Sequence, residues 1–532
     1  MRTIGAAGNI AQSSPSADAP GNLFAELCKP LPFLLAGGGD DRLTFDFANQ
    51  TNMYGCAACP APRTIAFSSS TATSISERAY ARAGQAREEL FRENIACGFE
   101  RAFDLQIERM RQLMMSCLKL NGTGADIIFS PSGTDSQLHA LLISRQLLNG
   151  PTTCIVIGAE QTGRGTAHTS RGRHFSDLTA QGKSVRKSLP VVGGTDTISL
   201  GISLFDQNGQ PRRESDIDAA VIKAIDEQLQ AGRKVILQTM ESSKLGWRGP
   251  SDACLRHVAA IWPQDVQIVV DACQFRIGRP RLRSHLEQGH IVLVTGSKFF
   301  TGPAFSGASL WPEKLSKRIA RMTSAVGGLQ EYATRFDLPQ SWNFARETLA
   351  ATPNLGQWLR WEAALEEMRA YYELPDSFRQ SALACLANSI PAAIAASRHL
   401  KLLASQDVRQ PDAADEELQN RTIFSFRVES NGHVFGFDDL TKIYHALNRD
   451  ISAAASKGDH GPASQLCHIG QPVEIAGGAV LRIAVGARHL TEAWSADAAV
   501  AEENSKAVVG QVAQIMKKLD LIIAAKMLCE AP

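Results

Sequence analysis

The chain has 532 residues, more than one domain usually holds, so two packed domains with terminal extensions are expected. With 44% hydrophobic and 20% charged residues it reads as globular, which excludes a largely disordered chain. A formal net charge of +1, from 55 basic and 54 acidic side chains, supplies no field that would draw it to nucleic acid or an anionic membrane.

Residues 1–60 read as an irregular N-terminal arm with turn signals such as Ala36-Gly37-Gly38-Gly39-Asp40. The stretch Met1 to Gly21 lacks the apolar core of a signal peptide, and no run of about 18 apolar residues follows anywhere. The 11 cysteines are odd in number and scattered, which suits reduced thiols in a cytoplasm. An amphipathic helical stretch is expected from Ser76 to Leu120, with Leu90, Ile95, Phe99, Phe103, Leu105, Met110 and Leu113 on one face.

The chain then alternates β-branched runs with helical stretches. The runs are Asp126–Phe129, Cys154–Ile157, Lys234–Gln238, Val266–Val270 and His290–Val294, with helices predicted at 135–148, 215–231 and 251–262. This pattern predicts an α/β fold, in which a mainly parallel sheet is covered on both faces and binds ligands beyond the carboxyl ends of its strands. From about residue 355 long helices take over, at Leu355–Tyr372 and Pro375–His399, the second with a break or kink expected at Pro391. Strands at Thr422–Val428 and Val480–Val485 and a final helix from Thr491 to Met527 complete a smaller α+β domain. The expected division is an arm over 1–60, a large domain over 61–350 and a small domain over 351–532.

Three strand ends carry chemistry. Ser130-Pro131-Ser132-Gly133-Thr134-Asp135 leads from a strand into a helix, which suits an anion such as phosphate, or is an ordinary helix cap. Asp271, ending an apolar run, could pair with a buried cation or cap a helix. Lys298 follows another apolar run, amid small residues and before Phe299 and Phe300. Either its amine is desolvated and nucleophilic or it reaches solvent. Together, a phosphate loop, an acid and a lysine are the parts that a pyridoxal 5′-phosphate (PLP) site requires.

Over roughly residues 65 to 500 the chain resembles fold-type I PLP enzymes, in particular the class V aminotransferase and cysteine desulfurase group. Ser132-Gly133-Thr134 matches the family's phosphate loop, Asp271 and Gln274 its Asp-x-x-Gln strand end, and Thr295-Gly296-Ser297-Lys298 its lysine box. The resemblance implies a large PLP domain with a mainly parallel seven-stranded sheet, and a Schiff base between the cofactor and Lys298. It also implies Thr295 as a phosphate ligand, Gln274 near the phenolic oxygen and Ser243 beside the ring. Thr352, in Thr352-Pro353-Asn354, would reach the phosphate held by the neighbouring subunit of a homodimer, and Arg482 would bind the substrate α-carboxylate.

The chain departs from the family where reaction type is decided. Gln161 follows Glu160 at the place where desulfurases stack a His on the ring. In Cys467-His468-Ile469-Gly470-Gln471-Pro472 the persulfide-forming Cys of one branch is replaced by Ile469, with Cys467 two residues away and His468 a candidate for the substrate pocket. Asn52 and Tyr54 either enter that pocket from the arm or form a structural loop. The polar segment Glu160–Phe175, with Arg164, His168, Arg171, Arg173 and His174, either lines the pocket and reads an acidic substrate group or is a solvated loop. Cys56 and Cys59 are read as loop thiols rather than a zinc pair, and Arg279-Pro280-Arg281-Leu282-Arg283 as a surface turn. Transamination of an amino acid is the favoured activity. Its rivals are a lyase (β-elimination, C–S or C–C cleavage), decarboxylation, or a PLP-fold protein without catalysis. A metal site is not expected.

Overall fold

The computed structural model describes residues 20–46, 51–207, 209–404, 418–430 and 432–529. Each of the five β-branched runs is a strand: Asp126–Ser130, Thr152–Ile157, Lys234–Met240, Val266–Asp271 and Ile291–Thr295. Two further strands escape the sequence pattern. Thr197–Ile202 is a half-exposed edge strand, and Gly307–Trp311 is fully buried but made of small residues and Leu310 and Trp311, without β-branching.

These seven strands form one sheet in the order Asp126–Ser130, Gly307–Trp311, Ile291–Thr295, Val266–Asp271, Lys234–Met240, Thr152–Ile157, Thr197–Ile202. Gly307–Trp311 runs antiparallel to both neighbours and the other six are mutually parallel, so the expected mainly parallel seven-stranded sheet is present. Its faces explain the continuous apolar runs. Ile127, Phe129, Ile268, Val270, Val292 and Val294 enter one buried cluster, whereas Ile128, Val269 and Leu293 enter the other. Helix Gly133–Leu148 covers the second face. Helices Glu77–Cys97, Phe99–Cys117 and Leu355–Tyr372 contribute to the first.

A six-stranded second sheet follows the path Thr64–Phe67, Leu466–Ile475, Gly478–Ala484, Ile423–Ser430, His433–Val434, with Leu400–Leu402 paired to Ile423–Ser430. Its edge strand Thr64–Phe67 pairs in parallel with Leu466–Ile469, so residues just after the arm reach across into the C-terminal sheet. Among the described residues no helix is long and apolar enough to cross a membrane.

Several sequence expectations are corrected. The stretch from Ser76 to Leu120 is two helices, because Gly98 sits at φ 80° with ψ 155°, a conformation open to glycine. The break resets the helical phase, which leaves Ile95 85% and Leu105 40% exposed. The described part of the arm is not irregular, for it contains helices Pro20–Leu27 and Leu31–Ala36, with Leu27, Leu31, Leu34 and Leu35 in the main core. Arg360, fully buried, fixes this arm by donating to the carbonyls of Leu35, Gly37, Gly38 and Phe305. The helix Asp376–Ala395 carries on through Pro391. The final helical region divides into Ala487–Ala493 and Ala498–Cys529. The Arg279–Arg283 segment opens helix Arg279–Glu287 and buries Arg281 rather than turning at the surface.

Candidate active site

Parallel strands deliver Ser130, Met240, Asp271 and Thr295 to the same edge of the large sheet. At the first of these ends the chain turns through Ser132 into helix Gly133–Leu148. The Ser132 hydroxyl accepts from the Asp135 amide at 3.3 Å and donates to the Asp135 carboxylate at 2.5 Å. This loop lies tightly on its neighbours: a Cβ on Gly133 would meet Cys273 Sγ at 2.9 Å and Thr295 Cγ2 at 3.1 Å. A Cβ on Gly307 would lie 2.4 Å from the Ser132 carbonyl. Gly307→Ala should therefore push the loop outward and lower stability by about 1–3 kcal/mol. Denaturant unfolding checks this.

The arm enters here as well. Arg42 donates to Ser132 Oγ and Thr134 Oγ1, each at 3.1 Å, while Asp40 accepts from it at 2.6 Å. Phe175 and Phe305 flank its guanidinium. Burial, followed by the Asp40 charge, pushes the Asp135 carboxyl up to about 7.

Asp271 is buried, and its partners are neutral. Gln137 Nε2 donates to Oδ2 at 3.0 Å, Gln238 Nε2 to the same oxygen at 3.5 Å, and the Cys273 amide to Oδ1 at 3.1 Å. Burial raises its carboxyl above the usual carboxylate range, and among the described residues no cation pairs with it. A carboxylate so placed suits a cationic ligand atom. Gln137 also accepts from the hydroxyls of Thr166 and Thr169, which ties the polar 160–175 segment to Asp271.

Lys298 donates to the Thr71 carbonyl. Burial first, then the Arg482 charge, brings its ammonium down to about 8 from an ordinary 10.5. The amine fraction of the apoprotein should therefore rise with pH through about 8. Covalent capture of an aldehyde at Lys298, trapped by reduction at a series of pH values, should show that midpoint. A midpoint above 10 would contradict it.

Arg482, in strand Gly478–Ala484, is buried and donates to the Lys244 carbonyl at 3.2 Å, Thr71 Oγ1 at 3.0 Å and the Gln471 carbonyl at 2.8 Å. Among the described residues it has no carboxylate partner, and burial lowers it to about 10. Beside it Arg276 donates to Gln274 Oε1, Thr422 Oγ1 and Ser69 Oγ, so Gln274 is held by this arginine and by the Ser70 carbonyl. Burial and Arg482 lower Arg276 to about 9.

The remaining candidates divide. The Thr295 hydroxyl donates to the Cys273 carbonyl at 2.7 Å. Gln161 is 2% exposed and its Oε1 lacks a partner, an orphaned acceptor available to a ligand. Ser243 Oγ accepts from the Leu245 and Trp247 amides and closes a turn. Asn52 Oδ1 likewise accepts from the Tyr54 and Cys56 amides, so its side chain shapes a loop. Thr352 is half-buried in the single chain. His468 lines a cleft of about 1220 Å³ with Arg63, Thr301 and Arg488, whose lining does not include Lys298. Burial lowers its imidazole to about 4. Cys467 is fully buried in the core, and burial pushes its thiol up to about 11.

No family model matches the chain, and no curated protein does. Its fold is similar to solved structures. One is the cysteine desulfurase CsdA from Escherichia coli, at 15% identity and a TM-score of 0.47 over 85% of this chain and 95% of that one. Another is a NifS-like protein, at 13% identity and a TM-score of 0.46 over 84% and 98%. At such identity and TM-score the likeness carries nothing about the reaction.

Residues that the sequence did not single out also enter the site. Gln238 was legible in principle, as a polar residue inside the apolar strand Lys234–Met240. Gln137 follows the phosphate-loop motif by one helical turn. Arg42, Lys244 and Arg276 carry no local pattern, because only the tertiary fold brings them to the strand ends.

Proposed function

We propose that the chain is a PLP-dependent enzyme acting on an amino acid, with Lys298 as its catalytic residue. The observation that carries this reading is a buried carboxylate lacking a cation, Asp271, at the same sheet edge as a desolvated lysine amine, Lys298. The residues present fit the group: Asp271 would hold the pyridine nitrogen, Lys298 the aldehyde carbon, and Ser132, Gly133, Thr134 and Thr295 the phosphate. The orphaned Gln161 acceptor would face the same ligand. When bound, PLP supplies an electron sink for bonds at the substrate α-carbon.

The chain's own groups do the rest. The Arg482 guanidinium, free of carboxylates, binds the α-carboxylate bidentately and orients the substrate. Once freed by the substrate amine, Lys298 takes the α-proton on Nζ and returns it, and its lowered affinity for protons suits that exchange near neutral pH. A homodimer in which Thr352 completes the neighbour's phosphate site belongs to this reading. So does a cytoplasmic setting, which suits the free cysteines of the described residues.

Two fates follow α-proton removal: return of the proton to a different carbon, after which water would release a keto acid and the amino group would stay with the cofactor, or loss of a β-substituent, after which water would release a keto acid and ammonia. Neither needs a further nucleophile from the protein, and the burial of Cys467 in the core disfavours a persulfide route through that thiol. Incubating the PLP-loaded protein with amino acids in deuterated water tests the shared step. Exchange of the α-hydrogen supports the reading, and its absence for all amino acids opposes it. Keto acid without ammonia then marks transamination, whereas released ammonia with a β-leaving group marks a lyase.

A further inference from the structure

Lys244 lies in the turn that follows strand Lys234–Met240. The turn is held closed by the Ser243 amide donating to the Trp247 carbonyl at 2.7 Å and by the Ser243 hydroxyl accepting from Leu245 and Trp247. Arg482 fastens the same turn from the other sheet by donating to the Lys244 carbonyl at 3.2 Å. The Lys244 side chain is thus delivered by a rigid element beside the proposed carboxylate-binding arginine. The side chain is half-buried, and among the described residues its amine has neither a hydrogen bond nor an ion pair.

Among the described residues the charges that act on this amine are positive: Arg482, Lys298 and, from the exposed start of the polar segment, Arg164. Burial and these neighbours bring it down to about 7. Among the described residues Arg482 and Arg276 also lack acidic partners. Geometry gathers these cations: Arg482 donates to the Lys244 carbonyl and to Thr71 Oγ1, and Lys298 donates to the Thr71 carbonyl. A half-buried ammonium among cations is unfavourable, and such clusters become favourable when an anion fills them. The α-carboxylate supplies one negative charge, which Arg482 takes. Lys298 is committed to the cofactor. Lys244 is left over.

We propose that the substrate is an amino acid with an acidic side chain, whose second carboxylate is held by Lys244 with Arg164 as the outer cation. This rests on the reading of Arg482 as the α-carboxylate site of a PLP enzyme. Lys244 sets specificity here, and the chemistry at the α-carbon stays with Lys298. The polar segment around Arg164 then has a use, as the wall that reads the acidic group.

The test uses the full-length PLP-loaded protein and pairs of matched shape: L-aspartate against L-asparagine and L-glutamate against L-glutamine. Binding is read from the change in the cofactor's visible spectrum, and reaction from α-hydrogen exchange. One acid should be favoured over its amide by about 10- to 100-fold, the range for a hydrogen-bonded charge. Lys244→Met should bring that ratio towards one, and Lys244→Arg should keep most of it. If Lys244→Met does not fold, Lys244→Gln takes its place, and retention of the ordinary visible spectrum shows that the site is intact. Equal binding of acid and amide by the unsubstituted protein overturns the inference, as does an acid preference that survives loss of the Lys244 charge. A protein that takes up no PLP at Lys298 instead marks failure of the underlying functional reading.

Discussion

Replacing Lys298 by Ala is expected to lower turnover by about 10²- to 10⁴-fold, the span that a positioned acid–base group contributes, and to abolish covalent attachment of the cofactor. Steady-state kinetics and reductive trapping measure the two effects. The fold should not suffer. With a folded value of about 8 against an ordinary 10.5, the lysine is charged in both states near pH 7 and its burial opposes folding there. That cost shrinks as pH rises from about 8 towards the ordinary value. The thermal midpoint of Lys298→Ala at pH 7 should therefore equal or exceed that of the unsubstituted protein. A large drop in stability together with unchanged turnover would place Lys298 in the framework instead.

The largest stability effect is expected at Arg281. Its guanidinium donates to both oxygens of Glu241, at 2.7 and 3.1 Å, and to both oxygens of Asp252, at 2.8 and 2.7 Å. Arg281 is 6% and Glu241 8% exposed, so removing the arginine takes both short hydrogen bonds from a buried carboxylate and leaves it the longer contacts to Arg248 and His285, each at 3.6 Å. Arg281→Ala should cost about 3–5 kcal/mol, read from denaturant unfolding. Burial alone would raise both carboxyls, but Arg281, helped by Arg248 and, at Glu241, by His285, outweighs it, holding Glu241 well below its usual range and Asp252 at about 2. Depressed carboxyl values stabilise the fold above their unfolded values, and that stability is lost as pH falls through the folded ones. The unsubstituted protein should thus keep its stability from neutral pH down to about 4 and lose it progressively as pH falls further towards 2. In Arg281→Ala the acid transition should move to higher pH. Because Glu241 follows strand Lys234–Met240 and precedes the Ser243 turn, the same change should loosen the turn that carries Lys244.

Arg281 also shows where the sequence stops being readable. Three arginines around a proline look like a solvated turn, and nothing local reveals that Glu241 and Asp252 wait for one of them. The parallel sheet is legible for the opposite reason. Runs such as Ile268-Val269-Val270 are apolar throughout because both faces of the strand are buried, so a strand end and its terminal Asp271 can be read directly. Gly307–Trp311 is hidden because its small residues are chosen for close approach to Ser132 rather than for β-propensity. The helical stretch after Ser76 misleads through Gly98, whose positive φ breaks the phase of the pattern. Within the site, Lys298, Asp271 and the Ser132 loop are legible from motif and position. The cations Lys244 and Arg276 and the arm's Arg42 are not, since their meaning lies in which charges they lack or meet after folding.

The central claim is a PLP site built on Lys298, and the visible spectrum before and after borohydride reduction tests it most directly. Purified protein supplied with PLP should absorb in the visible, lose that band on reduction, and yield a pyridoxyl-labelled peptide containing Lys298. A protein that stays colourless with added PLP, or that carries the label only on other lysines, would contradict the account.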